Sequence, residues 1–405
     1  MDATAGNPRQ ERGLVIAKDK RIKRIAGPTW LVPSQSNAGG YVVDVDAASC
    51  TCPDHETRAV KCKHLWAVEY VRHRVTAPDG TTTVTETMRV TYTQNWSAYN
   101  AAQCEEKERV QMLLRALCDG ILQPPQAKGR PRLPLSDVVY GAAMKVYGGM
   151  SGRRSTSDAR DHEAKGLIDH AAHYNSLFSY LERPEMTPLL KALVEESALP
   201  MRAVETKFAV DSSGFGTCTY RRWYDHKYGR EMKEQRWVKC HILTGCTTNV
   251  IASIEVTDET VGDAPVLPSL VNGAAERGFT MADLSADKAY LSHANLAAVE
   301  KVGAVPYIPF KSNSQGEGPA AWRKLWHLFN YKRDEFLTHY HARSNVEATF
   351  SAMKRKFGAA VRSKLPVAQR NEVLVKALCF NLSVLVHGIH ELGIDPTFGA
   401  VPVLP

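Results

Sequence analysis

At Pro200 the spacing of apolar residues changes, and that change narrows the possible folds more than anything else in the chain. The runs "KFAVDSSGFG", "GTCTYRRWYDHKYG", "RWVKCHILTG" and "NVIASIEVTD" are short, rich in β-forming residues and separated by glycine-containing turns, which predicts consecutive strands. Helix-type and strand-type runs then alternate. A helix is expected around "PVLPSLVNGAAERG", a strand in "MADLSADKAY", a helix in "HANLAAVEKVG", a strand in "AVPYIPF" and a long helical stretch through Lys356. The order β-β-β-α-β-α-β-α places the segment in the α+β or α/β classes.

The rest of the 405 residues divides by the same grammar. Residues 1–90 mix short β-patterned runs with a cysteine cluster and a helix-like run, "HLWAVEYVRHRV", and end in a threonine-rich linker or edge strand. Residues 91–200 read as helical: "CEEKERVQMLLRALCDGIL" closes on Gly120, the basic "PPQAKGRPRLPLSD" interrupts, and a further helix starts at a cap, Ser157 or Asp158. Residues 201–365 hold the mixed segment, and 366–405 an apolar-faced helical tail that packs on the rest. With 44% hydrophobic residues there is enough for a sizeable core. No run approaches the roughly 18 apolar residues of a membrane span, and the polar N-terminus lacks a leader pattern, so a cytoplasmic location without membrane contact is expected. Nine cysteines in a reducing compartment point to metal ligands or buried thiols rather than disulfides. The net charge of +8 suits a polyanionic partner without requiring one.

Two acids in the mixed segment sit where strands should end. Asp211 follows the apolar "KFAV" and precedes the turn-like "SSGFG"; Asp287 holds a similar place in "LSADKAY". A third acid, Glu347, lies in "YHARSNVEATFSAMK" on an expected helix, at helical offsets from Tyr340, Arg343 and Lys354 that put all four on one stripe. Taken singly, each Asp reads as a turn or cap residue and the stripe as a solvated Arg–Glu pair. Taken together, three carboxylates over a sheet make an oxygen-rich pocket for hard divalent cations, and the cations beside Glu347 suit phosphates.

At this point the chain resembles DDE-type insertion-sequence transposases with a ribonuclease-H-like core, which carry Y-x-x-R-x-x-x-E-x-x-x-x-x-x-K around their Glu; Tyr340, Arg343, Glu347 and Lys354 match at all four positions. The resemblance implies a mixed sheet flanked by helices, with Asp211, Asp287 and Glu347 as catalytic ligands of two Mg²⁺ ions, for which Mn²⁺ can substitute. It implies DNA contacts from Arg343 and Lys354 and strand positioning by Tyr340, double-stranded DNA as partner at element ends and target, a homodimer on paired ends, and a nucleoid-associated location. The 60 residues from Asp287 to Glu347 leave no room for the large β-insertion of some members, so hairpin formation on the excised end is left open. Lys288, Trp322 and Trp326 are further candidates for DNA contact, with core packing the commoner fate of the tryptophans.

"CTCPDHETRAVKCKHLW" supplies Cys50, Cys52, Cys62 and His64. Residues two apart on a strand face the same way, so Cys50 and Cys52 can share an ion that Cys62 and His64 close from the start of a helix. Four protein ligands make one structural Zn²⁺ site. His55 and His73 are spare ligands that fit the spacing less well. The arrangement resembles the SWIM zinc finger, associated with binding nucleic acid or protein. In "KGRPRLPL", Arg130 lies within, and Arg132 just after, a Gly-Arg-Pro core like that of minor-groove hooks, though a rigid hinge is the commoner reading. "SGRRSTSDAR" is either a phosphate-contacting loop or a solvated turn. The expected function is therefore a transposase, against a domesticated DNA-binding regulator that keeps the fold and a zinc-dependent protein-recruitment module.

Overall fold

The computed structural model describes residues 8–17, 21–35, 39–76, 82–86, 95–126, 128–129, 131–217, 227 and 237–401. They belong to two compact units, Met1–Thr93 and Gln94–Pro405.

In the first unit, β1 (Lys23–Ala26), β2 (Thr29–Pro33), β3 (Gly40–Asp44) and β4 (Ser49–Cys50) form an antiparallel sheet in sequence order. Helix α1 (Pro8–Ala17) packs on α3 (Lys63–Val71), and the short α2 (Pro53–Arg58) stands between β4 and α3. Their small core holds Trp30, Val32, Val43, Leu65 and Val68 together with the three cysteines. The helix expected through "RHRV" stops at Val71: Arg72–Thr76 is a strand, β5, paired antiparallel with β6 (Thr82–Glu86) in the threonine-rich run. β-Branched threonine and valine favour that extended ribbon.

The second unit is built on a five-stranded sheet ordered β11-β10-β7-β8-β9, from β7 (Lys207–Gly216), β8 (Trp237–Gly245), β9 (Ile251–Asp258), β10 (Asp283–Ala286) and β11 (Val305–Tyr307). The three consecutive strands are antiparallel, whereas β10 and β11 join parallel through helical crossovers. This is the ribonuclease-H-like mixed sheet. The run "SSGFG", expected to turn, instead continues β7, with Ser212 to Gly216 paired to His241 to Trp237. The bulky Trp237 explains the tolerance for glycine: a Cβ on Gly214 would lie 2.8 Å from the indole Cδ1. The strand expected in "GTCTYRRWYDHKYG" falls almost wholly outside the described residues.

Alternation along β7 separates the two faces of the sheet. Asp211, Ser213 and Phe215 look one way, the direction from which Lys354 reaches Ser213; Ser212 looks the other way, to Asp263. Helix α9 (Leu267–Glu276) covers the Ser212 face, followed by α10 (His293–Lys301). The Asp211 face is covered by α12 (Arg333–Tyr340), α13 (Ser344–Phe357) and α14 (Pro366–Leu392), with α11 (Ala320–Tyr331) leading into α12.

The helices before Pro200 are α4 (Trp96–Asp119), α5 (Leu135–Tyr147), α6 (Gly152–Ala164), α7 (Tyr174–Leu181) and α8 (Met186–Ala198). They share one continuous hydrophobic core with the sheet. α14 is the joint: α4, α5 and α8 pack on it. Its buried Asn381 accepts the Ile251 N–H at 2.9 Å and donates to the carbonyls of Ile251 and Val194 at 2.9 and 3.0 Å. Long and apolar enough to cross a membrane, α14 spends that apolarity inside the core, 78% of its most apolar stretch being buried. Helix α6 is capped by Ser151, not by Ser157 or Asp158, and ends before Gly166, whose φ of +70° favours glycine.

Candidate active site and metal centre

The parallel pairing of β10 with β7 brings two of the acids together. Ala286 stands opposite Val210, so the next residues along, Asp287 and Asp211, leave the paired region side by side. Asp287 shares the face of Asp283 and Ser285, and so the face of Asp211. Asp211 does not sit at a strand tip as expected: β7 runs on past it, paired with β8. It is the end of β10 that opens the space beside it.

The third acid arrives on the α12–α13 segment, which is anchored to the same edge. The Ser285 hydroxyl donates to the His339 carbonyl at 3.1 Å, and the His339 imidazole Nδ1 lies 2.7 Å from the Asp283 carboxylate. The stretch from Tyr340 to Lys354 is not the single helix expected. His341–Arg343 tightens into a 3₁₀ turn, with Tyr340 at the end of α12 and Arg343 at the N-cap of α13. Arg343 keeps its i,i+4 relation to Glu347 and adds a long-range one. Its Nη2 donates to Glu347 Oε1 at 2.5 Å and its Nη1 to Asp211 Oδ2 at 3.1 Å. One guanidinium thus spans the carboxylates of the central strand and the late helix.

Burial pushes the Asp211 carboxyl above its ordinary range; the Ser212 N–H and Arg343 oppose the shift, while Asp287 and Glu347 add to it. Burial works against the charge on Arg343, but Tyr340, Glu347, Asp211 and Asp287 outweigh it and hold the guanidinium charged. The three acids therefore lie within electrostatic reach of one another and of one cation. They are not drawn into a closed ligand set: among the described residues only the cysteine–histidine cluster has its ligand atoms all within 4.8 Å.

The remaining expected residues separate by surroundings. Lys354 donates to the Ser213 hydroxyl at 2.6 Å and stands 5.1 Å from the Phe215 ring centre, and burial lowers its pKa. Tyr340 stacks on Phe336 with Arg343 5.9 Å from its ring. Lys288 is exposed beside Asp287. Arg132 is exposed, with its backbone N–H donated to Gln126 Oε1 at 3.1 Å, and Arg130 lies outside the described residues. Trp322 and Trp326 both meet Phe310 edge-on at 4.9 Å and serve packing.

Some neighbours of the acids were not anticipated. The Ser212 N–H donates to Asp211 Oδ1 at 2.8 Å, and its hydroxyl to Asp263 Oδ1 at 2.7 Å. Asp263 also pairs with Lys239 at 2.7 Å. Tyr290 is buried among Asp263, Asp211 and Asp287; burial first, and then those charges, raise its phenol pKa. The "DKAY" spacing, which returns Tyr290 toward Asp287 through one 3₁₀ turn, was the available signal.

In the first unit Cys50 ends β4, Cys52 caps α2, Cys62 caps α3 and His64 lies in the first turn of α3. All four are buried with mutually close ligand atoms: His64 Nδ1 is 3.8 Å from Cys50 Sγ and 3.9 Å from Cys62 Sγ. Cys52 thus reaches the cluster from a helix cap rather than along a continuous strand. Sharing a hydrogen bond with Cys50 holds Cys62 down at about 3, while the same contact and burial push Cys50 up. Three sulfurs and one imidazole at tetrahedral spacing fit Zn²⁺ and leave no open position. His55 is turned away, its Nδ1 2.8 Å from the Val60 carbonyl; the His73 side chain lies outside the described residues.

No curated protein matches the chain. Two family models do: the transposase DDE domain over residues 202–382 and the SWIM zinc finger over residues 41–73. The first span contains Asp211, Asp287 and Glu347 and the second contains all four zinc-type ligands, so this chain carries a transposase DDE domain preceded by a SWIM zinc finger.

Proposed function

We propose that the chain is the transposase of an insertion sequence, cutting and joining double-stranded DNA at the element's ends by two-metal chemistry. The observation that supports this best is Arg343, a cation already held between Asp211 and Glu347 where the acids would otherwise repel. Asp211, Asp287 and Glu347 fit hard divalent cations by donor type, and would hold two Mg²⁺ ions, or Mn²⁺ in their place. When bound, such ions supply activation of a water or 3′-hydroxyl and stabilisation of the leaving oxygen.

The chain's own side chains do the positioning. Arg343, held beside Asp211 and Glu347, would offer its planar fork to a phosphate placed at the carboxylates. Lys354, beside Ser213 on β7, and the exposed Lys288, next to Asp287, would hold the backbone. Tyr340 buttresses Arg343. The Ser212–Asp263–Lys239 network fixes the strand under Asp211. Arg130 and Arg132 are further backbone contacts, the protein acts as a homodimer on paired ends near the nucleoid, and the zinc finger steadies the first unit for recognition.

The test is mobilisation of a donor plasmid carrying the gene with its native flanking DNA, scored as joined products in a recipient. Products from the parent and none from Asp287→Asn are expected. Equal yield from both would overturn the assignment.

A further inference from the structure

Away from the carboxylates, the second unit has a cleft of about 990 Å³ between the end of α5, the start of α6, α7 and the loop that leads into α14. Lys145, Arg154, Arg362 and Lys364 line it, against one carboxylate, Glu182. None of these has a role in the chemistry above.

Lys145 is the informative member. It is only 8% exposed and lines the cleft, and among the described residues its ammonium makes no hydrogen bond or ion pair, the Phe178 ring centre lying 5.5 Å away. A largely buried lysine whose ammonium reaches the cleft without a hydrogen-bond acceptor among the described residues is available to an anion there. Burial lowers its pKa, with Glu372 opposing and Arg362 adding to the shift.

The backbone points the same way. The 13-residue α6 begins at the cleft, and its positive end favours an anion there. Gly152, at its first position, lets the chain come close to Phe178, since a Cβ there would lie 2.5 Å from the ring. Arg362 is held at the mouth by donating to the carbonyls of Gly149 and Met150 at 2.9 and 3.0 Å. Arg154 and Lys364 are exposed beside it.

The cleft is also tied to the catalytic strand. Gly216, the last residue of β7, donates its N–H to Ala359 at 3.1 Å and accepts from Val361 at 2.9 Å, in the loop that carries Arg362 and Lys364. From Asp211 to Gly216 the strand covers about 17 Å. That is about five base steps of a duplex at 3.4 Å each.

We propose that this cleft binds a backbone phosphate of duplex DNA whose scissile phosphate lies at the carboxylates. The inference rests on the DNA-cutting reading given above. Full-length protein is titrated with a 40-bp duplex, once of flanking sequence and once of scrambled sequence, over a range of salt. Arg154→Gln/Lys364→Gln, both at exposed positions, should weaken binding of both duplexes alike and flatten the log–log salt slope by up to about 0.9, the value for one phosphate contact. Lys145→Met should likewise weaken both duplexes alike, with a slope change inside the same limit of about 0.9, and thermal melting checks that each variant is folded. Unchanged slope and affinity in the folded double variant overturn the proposal. So does inorganic phosphate stabilising the parent but not the variants with the DNA slope unaltered, which would mark a free-phosphate site. A parent that binds duplex without metal-dependent cutting would sink the catalytic reading and the placement of a scissile phosphate with it, while the variants' salt slopes would still decide whether the cleft holds a DNA phosphate.

Discussion

The zinc centre and the carboxylate site are built in opposite ways. Cys50, Cys52, Cys62 and His64 come from one short stretch, and their ligand atoms are already gathered within 4.8 Å. The acids come from a central strand, a parallel neighbour and a late helix, with Asp211 and Arg343 being 132 residues apart in sequence. They meet only because the sheet register brings them together. A local, closed set suits an ion that holds a small fold together, whereas a set assembled over distance and left open leaves room for substrate.

The comparison is broken most forcefully at the zinc end. Cys62→Ser should take zinc from about one ion per chain to none and unfold the first unit alone. Structural zinc contributes on the order of 10 kcal/mol to such folds. Metal analysis with circular dichroism checks it; a zinc-free parent, or loss of residues 94–405 as well, would count against independent construction. At the other site Glu347→Gln should cost at least about 10³-fold in cleavage, about 4 kcal/mol, while leaving the fold and duplex binding in place. Gel-based cleavage assays in Mg²⁺ would read it, and a variant within tenfold of the parent would remove Glu347 from the chemistry.

A proton sharpens the contrast. Because burial raises Asp211 above its ordinary value of 3.8, its protonated form adds stability fully present below that value and lost as pH rises through the raised one. The metal-free protein thus gains nothing from ionising Asp211, and a divalent cation must compete with the proton below the raised pKa. Mn²⁺ affinity, followed by calorimetry, should fall by up to about tenfold per pH unit on descending through the raised pKa, as one proton is displaced. A flat profile would mean that Asp211 is not a ligand. Smallest is Lys354→Met, expected to weaken duplex binding a few-fold and reduce the salt slope by about 0.9 regardless of sequence. An altered sequence preference would reassign Lys354 to base reading.

What could be read from residue order follows the same division. The zinc ligands were legible because C-x-C and C-x-H are local spacings, and the Y-R-E-K pattern because it is tied to one helical segment. The strand and helix order of the second unit was legible from periodicity. The length of β7 was not, since "SSGFG" has turn composition and is held extended by β8 and Trp237. Nor was the shared core: Asn381 reaches Ile251 across 130 residues, a tertiary hydrogen bond that leaves no periodic trace. Arg343 was legible as a cation near Glu347, but its bond to Asp211 required the sheet.

The position of α14 has a consequence for how the protein is made. The helix that closes the core over the five-stranded sheet is synthesised well after the strands it covers, and Asn381 supplies its junction with β9. Until residues 366–392 emerge, the sheet has an uncovered apolar face and domains of this kind fold as units. A chain made only as far as Glu347 therefore still lacks the helix that completes the core beneath its carboxylates.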